Sequence, residues 1–249
     1  MRHVIADIPI DAITRDAAAA RVAAMLGEQR SHVVVTPNPE MLVDASRDEA
    51  FSDALRHADM AIPDGFGLLL VGALLGKRFP ERISGTDFVD DVCSAAAAQG
   101  KSVFLLGGEG DHVAERAARE LERRHPRLRI AGAMSGFRVF WETPSVPVID
   151  GDVLVKVKSA APDVLLVAFG HRKQELWMRS ALPHLPSVRL AMGVGGAFDF
   201  IAGDVRRAPA LLRAAGLEWL WRLIVQPWRF KRIWKAVVTF PILAFKAGR

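Results

Sequence analysis

The stretch HVVVTPNPE, residues 32–40, carries the reading on which the fold depends. A β-type apolar run stops at Thr36-Pro37-Asn38, and a helical pattern opens at Pro39 and runs to His57. A continuous apolar run suits a strand covered on both faces, which is the habit of parallel sheets. Thr36 and Asn38 stand where such a strand ends, and both are residues that cap a following helix.

The same grammar recurs along the chain. Apolar runs at 60–64, 102–108, 128–136, 163–170 and 188–196 are short, rich in Val, Leu and Ile, and end at or beside turn-forming residues. Helical patterns lie between them, at 14–29, 86–99, 110–125, 146–160 and 173–185. This alternation predicts an α/β domain, Rossmann-like and doubly wound on a mainly parallel sheet. Ligands in such sheets bind beyond the carboxyl ends of the strands. The residues to watch are therefore Thr36, Asn38, Asp64, Gly107 and Gly170. Asp64 sits in Pro63-Asp64-Gly65, between two apolar runs, and a turn is the simplest reading of those three residues.

Composition bounds the possibilities. The 249 residues are 51% hydrophobic and 24% charged, enough for one large α/β domain. The single cysteine, Cys93, excludes an intrachain disulfide and a cysteine-rich zinc site. The first sixteen residues lack an apolar core of signal-peptide length, and no long uncharged apolar run appears. The protein is expected in the cytoplasm. Net charge is +5, yet residues 217–249 alone carry +6, with four of the six tryptophans, so the first 216 residues sum to −1. The chain is accordingly divided into a body, 1–209, and a basic, Trp-rich helical appendage, 210–249. Between 228 and 238, Phe230, Ile233, Trp234, Val237 and Val238 gather on one helical face and Lys231, Arg232 and Lys235 on the other. Such a helix suits an anionic membrane interface.

Single motifs are weak. LLGGEGD (105–111) lacks the Walker lysine and the full dinucleotide fingerprint, and Asp150-Gly151-Asp152 has a metal-like spacing in a place that suits a cap. The ordered set is stronger. It runs Thr36-x-Asn38-x-Glu40, Pro63-Asp64-Gly65, Arg82-x-x-Gly85-x-Asp87, Gly170-x-x-x-Gln174-Glu175 and Gly195-Gly196-x-Phe198-Asp199. Arg207-Ala208-Pro209, Glu218-Trp219-x-x-Arg222 and Pro227-x-Arg229-x-x-Arg232 follow. Over roughly residues 31–235 this resembles the WecG/TagA/CpsF family of bacterial glycosyltransferases.

The resemblance implies an inverting enzyme that needs no metal or other cofactor. It would move a sugar, classically N-acetylmannosamine, from a UDP-sugar to a polyprenyl-diphosphate-linked saccharide. The setting it implies is the inner face of the cell membrane, in cell-surface polysaccharide synthesis. Position by position, it makes Asp64 the catalytic base and places Thr36 and Asn38 in the same pocket. Arg82 and Gln174 become substrate-binding residues, and Arg222, Arg229 and Arg232 the appendage arginines that approach the diphosphate. Arg172 departs from the family pattern, which commonly has Pro there. Two rivals stand beside this reading: a Rossmann-type epimerase or dehydrogenase, and a basic membrane- or nucleic-acid-binding module without catalysis. The first lacks G-x-G-x-x-G after its first strand, and the second lacks a nucleic-acid motif, so no nucleic-acid partner is expected. An apolar surface near the site would favour a homo-oligomer.

Overall fold

The structure is a computed structural model describing residues 1–135, 139–209, 211–212, 216–225 and 227–247. Among the described residues there are ten strands: β1 (Arg2–Ile5), β2 (Ile8–Asp11), β3 (His32–Val35), β4 (Met60–Ala61), β5 (Ser102–Gly107), β6 (Arg129–Met134), β7 (Trp141–Thr143), β8 (Val146–Pro147), β9 (Val164–Ala168) and β10 (Leu190–Gly193). Six form one sheet in the order β4-β3-β10-β9-β5-β6, and every pairing in it is parallel. The body helices are α1 (Arg15–Gly27), α2 (Pro39–Ala45), α3 (Glu49–Arg56), α4 (Phe66–Leu74), α5 (Gly85–Ala98), α6 (Val113–Arg124), α7 (Gly151–Ala160), α8 (Lys173–Ala181) and α9 (Ala197–Ile201). The Rossmann-like reading holds.

Alternation along the strands explains the three layers. Val34, Met60, Leu105, Leu166 and Met192 enter one core, shared with α1, α5 and α6. Val35 and Ala61 enter a second with α2 and α3, and Phe104, Leu106, Leu165 and Val167 a third with α7 and α8. Both faces are covered, which is why the strands read as unbroken apolar runs. Cys93 is buried in the first core, where desolvation pushes its thiol far above the usual range.

Several local expectations shift. The pattern at 39–57 breaks into two helices because the Asp48 side chain accepts from the Phe51 N–H at 3.0 Å and starts α3 afresh. The pattern at 146–160 begins with the β7–β8 hairpin, and Asp150 caps α7 through the N–H groups of Asp152 and Val153 at 2.9 and 3.4 Å. Asp150-Gly151-Asp152 is thus a helix start. The β1–β2 hairpin and α4 were not foreseen, and α4 has no clear period because FGLLLVGAL is apolar all round. Among the described residues, no helix is long and apolar enough to cross a membrane.

The tail continues as a helix (Glu218–Val225), a 3-10 turn opened by Pro227 (Pro227–Arg229), and helices Phe230–Trp234 and Phe240–Ala247 joined by a π turn. Three residues of its expected apolar face point outward, Phe230, Trp234 and Val237 at 55%, 53% and 46% exposed, while Ile233 and Val238 are half-buried. Its last helix instead sinks Phe240 and Ala244 into the second core beside Met41 and Leu42 of α2. Phe240→Ala should therefore lower unfolding free energy by about 3 kcal/mol. Trp234→Ala, on the exposed face, should stay within about 0.5 kcal/mol of the parent. Urea denaturation of both variants checks this, and equal losses would mean that the tail docks differently.

Candidate active site

Three loops meet at the carboxyl end of β3 and β4. Thr36 follows β3 directly and is buried. Two residues on, the Asn38 side chain accepts from the Met41 N–H at 3.0 Å and caps α2, with Pro39 in the first helical position. Asp64 follows β4, and its N–H donates to the Pro37 carbonyl at 3.0 Å. The Ile83 N–H donates to the Pro63 carbonyl at 2.9 Å, which brings the loop bearing Arg82 alongside Asp64. The Gly85 N–H reaches Asp64 Oδ2 at 3.4 Å, a long contact. Asp64 thus sits half-buried against the N-terminus of the 14-residue helix α5.

Two glycines make this approach possible. Gly65 has φ +92°, and a Cβ there would lie 3.1 Å from Pro39 Cδ. The turn in Pro63-Asp64-Gly65 is real, and it holds Asp64 at the strand end. A Cβ on Gly85 would meet Thr36 Cγ2 at 3.0 Å and Oγ1 at 3.2 Å. The structure thus brings together Thr36, Asn38 and Asp64, with Arg82 half-buried on the adjoining loop. Arg207 of the Arg207-Ala208-Pro209 motif joins here too. It ion-pairs with Asp87 of α5 and lies 5.9 Å from the Phe200 ring centroid.

Gln174 lies at the neighbouring strand end, buried in the first turn of α8. Its Oε1 accepts from the Gly195 N–H at 2.9 Å and its Nε2 donates to Glu175 Oε1 at 2.8 Å. The side chain ties α8 to the turn after β10. Burial pushes the Glu175 carboxyl up, against the opposing pull of the Gln174 amide. Beyond β5 the character changes. The Gly107-Gly108 turn sets Glu109 near Asp199, whose carboxyl is raised first by burial and then by the Glu109 charge. Two neighbouring carboxylates make that turn a poor phosphate cradle.

The appendage reaches the site from above α2. Arg232 Nε donates to both oxygens of Glu40 at 2.8 and 3.0 Å, two residues past Asn38. Lys235 Nζ donates to Asp44 Oδ1 at 2.6 Å, and His171 Nε2 lies 2.9 Å from Asp44 Oδ2. The backbones of Arg222 and Arg229 lie in the helix Glu218–Val225 and the turn Pro227–Arg229, but their side chains fall outside the described residues. Asp44 and His171 were missed from sequence. The available signal for Asp44 was its spacing, four residues after Glu40 and hence on the same helical face. A cavity of about 430 Å³ between α3 and α8, lined by Ser31, Val33, Ala54, His57, Glu175 and Arg179 among others, contains none of Thr36, Asn38, Asp64 or Arg82.

Residues 3–249 match the model of the "Glycosyl transferase WecG/TagA/CpsF family". The chain belongs to that family. Among its relatives is the N-acetylglucosaminyldiphosphoundecaprenol N-acetyl-beta-D-mannosaminyltransferase of Bacillus subtilis (strain 168), 32% identical over 81% of this chain and 74% of the relative. Proteins of the same name from Bacillus spizizenii (strain ATCC 23059 / NRRL B-14472 / W23) and Staphylococcus aureus (strain NCTC 8325 / PS 47) are 32% and 29% identical. These matches cover 84% and 87% of this chain, and 77% and 79% of the two relatives. Family membership displaces both rival readings, the epimerase or dehydrogenase and the non-catalytic basic module.

One departure from the family pattern has a structural consequence. Arg172 has φ +69°, a value closed to proline, whose ring fixes φ near −65°. Its guanidinium lies 4.9 Å from the Trp141 ring centroid and donates to Asp48 Oδ2 at 2.5 Å and to the Pro144 carbonyl. The loop before α8 is thereby strapped to α3 and to the β7–β8 hairpin.

Gly193 offers a direct test of the Gln174 arrangement. A Cβ there would stand 2.5 Å from Gln174 Nε2. Gly193→Ala should displace the Gln174 side chain and cut kcat/KM about tenfold or more. Steady-state transfer assays check this, and parent-like kinetics would mean that the Gln174 position is immaterial.

Proposed function

We propose that this glycosyltransferase moves an N-acetylmannosamine-like sugar from a UDP-sugar to a polyprenyl-diphosphate-linked saccharide, with inversion and without a metal. The observation that carries the reading is Asp64, a carboxylate held by three loops at the carboxyl end of the sheet. The names of the three relatives support the acceptor class and the sugar.

In this mechanism an acceptor hydroxyl attacks the anomeric carbon of the donor. Its proton passes to the Asp64 carboxylate, and the bond from C1 to the UDP oxygen breaks with its electron pair leaving on UDP. The departing diphosphate gathers negative charge. Fixed guanidinium groups suit that charge, because their forks match phosphate oxygens and never lose their proton. Arg82, on the loop bonded to Pro63, and the appendage residues Arg222, Arg229 and Arg232 are assigned this role. Thr36 and Asn38 shape the pocket, and Gln174 holds the wall formed by the turn after β10.

The acceptor is a lipid, so the site has to work at a bilayer surface. The exposed apolar residues of the tail, among them Ile224, Trp228, Phe230 and Trp234, supply an interfacial face. The proposal places the protein peripherally on the cytoplasmic side of the membrane. It adds no nucleic-acid partner and allows a homo-oligomer.

Asp64→Asn should reduce kcat by about a hundredfold to ten-thousandfold and leave UDP affinity unchanged. A UDP-release assay with a panel of UDP-sugars and a short polyprenyl-diphosphate acceptor, run with and without EDTA, is the measurement. Retained turnover in the variant would remove Asp64 as the base. Loss of parent activity in EDTA would remove metal independence.

A further inference from the structure

Two basic residues of the tail helix, Arg232 and Lys235, turn toward α2. Arg232 grips Glu40 and Lys235 grips Asp44, at 2.8 and 2.6 Å, while Phe230 and Trp234 stay exposed. Glu40 and Asp44 are one helical turn apart on α2, whose N-terminus Asn38 caps. The Asp44 carboxylate is fully divided: Oδ1 takes the Lys235 ammonium and Oδ2 faces His171 Nε2 at 2.9 Å. His171 belongs to the loop that leads into Gln174. One carboxylate therefore joins α2, the Gly170 loop and the appendage.

The same segment passes close to the catalytic turn. A Cβ on Gly67, three residues after Asp64, would lie 3.8 Å from the Ala236 carbonyl and 3.3 Å from Pro39 Cγ. A Cβ on Gly216 would lie 2.6 Å from the Phe66 ring. The appendage thus runs along the first turn of α4 and over α2, and its ion pairs with α2 fix where it comes to rest.

We propose that Asp44 is a positioning residue for sugar transfer. With Glu40 and His171 it forms a latch that seats Arg232 and Lys235, and so places the appendage cations at the mouth of the Asp64 site. The inference rests on the transferase reading above. Burial raises the Asp44 carboxyl, but the bonds from His171 and Lys235 outweigh it, and the net displacement is downward. Partly exposed ion pairs contribute little to folding stability, so the latch acts on placement rather than on the fold. A misplacement of about 1 Å is enough to slow a reaction a hundredfold. Ligand atoms of Glu40, Asp44 and His171 also lie within 4.8 Å of one another, as in a cation site, and the side chains that sit against Glu40 and Asp44 there are the appendage's own Arg232 and Lys235.

The test is a charge swap in the full-length chain. Asp44→Lys and Lys235→Asp should each cut kcat about tenfold to a hundredfold, measured as UDP release from UDP-N-acetylmannosamine with a lipid-diphosphate acceptor in detergent. The donor KM and the melting temperature should hold. Each single variant should expose the tail to limited proteolysis in the absence of substrate, and the double variant should restore both tail protection and most of the kcat. Singles that keep full rate and protection, or a swap as slow as the singles, would overturn the latch. Rescue of Lys235→Ala by added Mg²⁺ or Mn²⁺ would overturn it too, by making the cluster a metal site. If the parent transfers no sugar, the transferase reading fails while the proteolysis still decides the latch.

Discussion

The sheet edge that carries Asp64 depends on one buried carboxylate, that of Asp11. Strand β4 pairs through only two residues, Met60 and Ala61, yet it carries the turn that holds Asp64. Asp11 steadies it: Oδ2 accepts from the Ala61 N–H at 2.8 Å, and Oδ1 takes Arg2 and Arg21, each at 3.1 Å. Both arginines also reach the Asp59 carbonyl, and the Asp59 side chain accepts from the Val33 N–H at 2.9 Å. Asp11 is 4% exposed, so its charge has little water and needs these partners. The β1–β2 hairpin that supplies Asp11 thus ties down a strand too short to hold its own register, and Ile5, Ile8 and Ile10 fix the hairpin in the second core.

This dependence bears on what the sequence made legible. Five of the six parallel strands could be read because they are buried almost throughout, and a run such as VLLVA (164–168) has little other use; β6, at the sheet edge, is only partly covered. The β1–β2 hairpin could not. RHVI and IPID mix charge with apolar residues, and Asp11 looks like a breaker until its partners from Arg2, Arg21 and Ala61 are seen. Helix α4 escaped for the opposite reason. Phe66, Leu70 and Leu74 are exposed while Leu68 and Val71 are buried, so both sides are apolar and no period survives.

At the candidate site, residues marked by their place at a strand end were easier to find than those marked only by long-range side-chain contacts. Thr36, Asn38 and Asp64 stand at strand ends, and a strand end is a position the one-dimensional pattern marks. Gln174 was marked by its place in the ordered motif, but its bonds to Gly195 and Glu175 need the third dimension. Asp44 and His171 are 127 residues apart, and the partner that makes them matter, Lys235, comes 191 residues after Asp44. No local spacing rule reaches that far. Arg172 is the instructive case, because a departure from the family motif was visible while its consequence, a left-handed residue strapped to Asp48, was not.

The tail helix inverts the usual rule for a docked helix. A helix that merely packs on a soluble body turns its apolar face inward and leaves its charges in water. Here Arg232 and Lys235 face the carboxylates of α2, while Phe230, Trp234 and Val237 face out. Leaving those apolar side chains in water forfeits their burial, roughly 25 cal/mol for each Å². The arrangement makes physical sense when the outward face has an apolar medium to enter. The inward charges then serve as the anchor, because an ion pair, unlike an apolar contact, has nothing to gain from that medium. The ion pairs with α2 fix the helix on the body and leave Phe230, Trp234 and Val237 facing out, so a single short helix presents a charged anchoring side and an exposed apolar side.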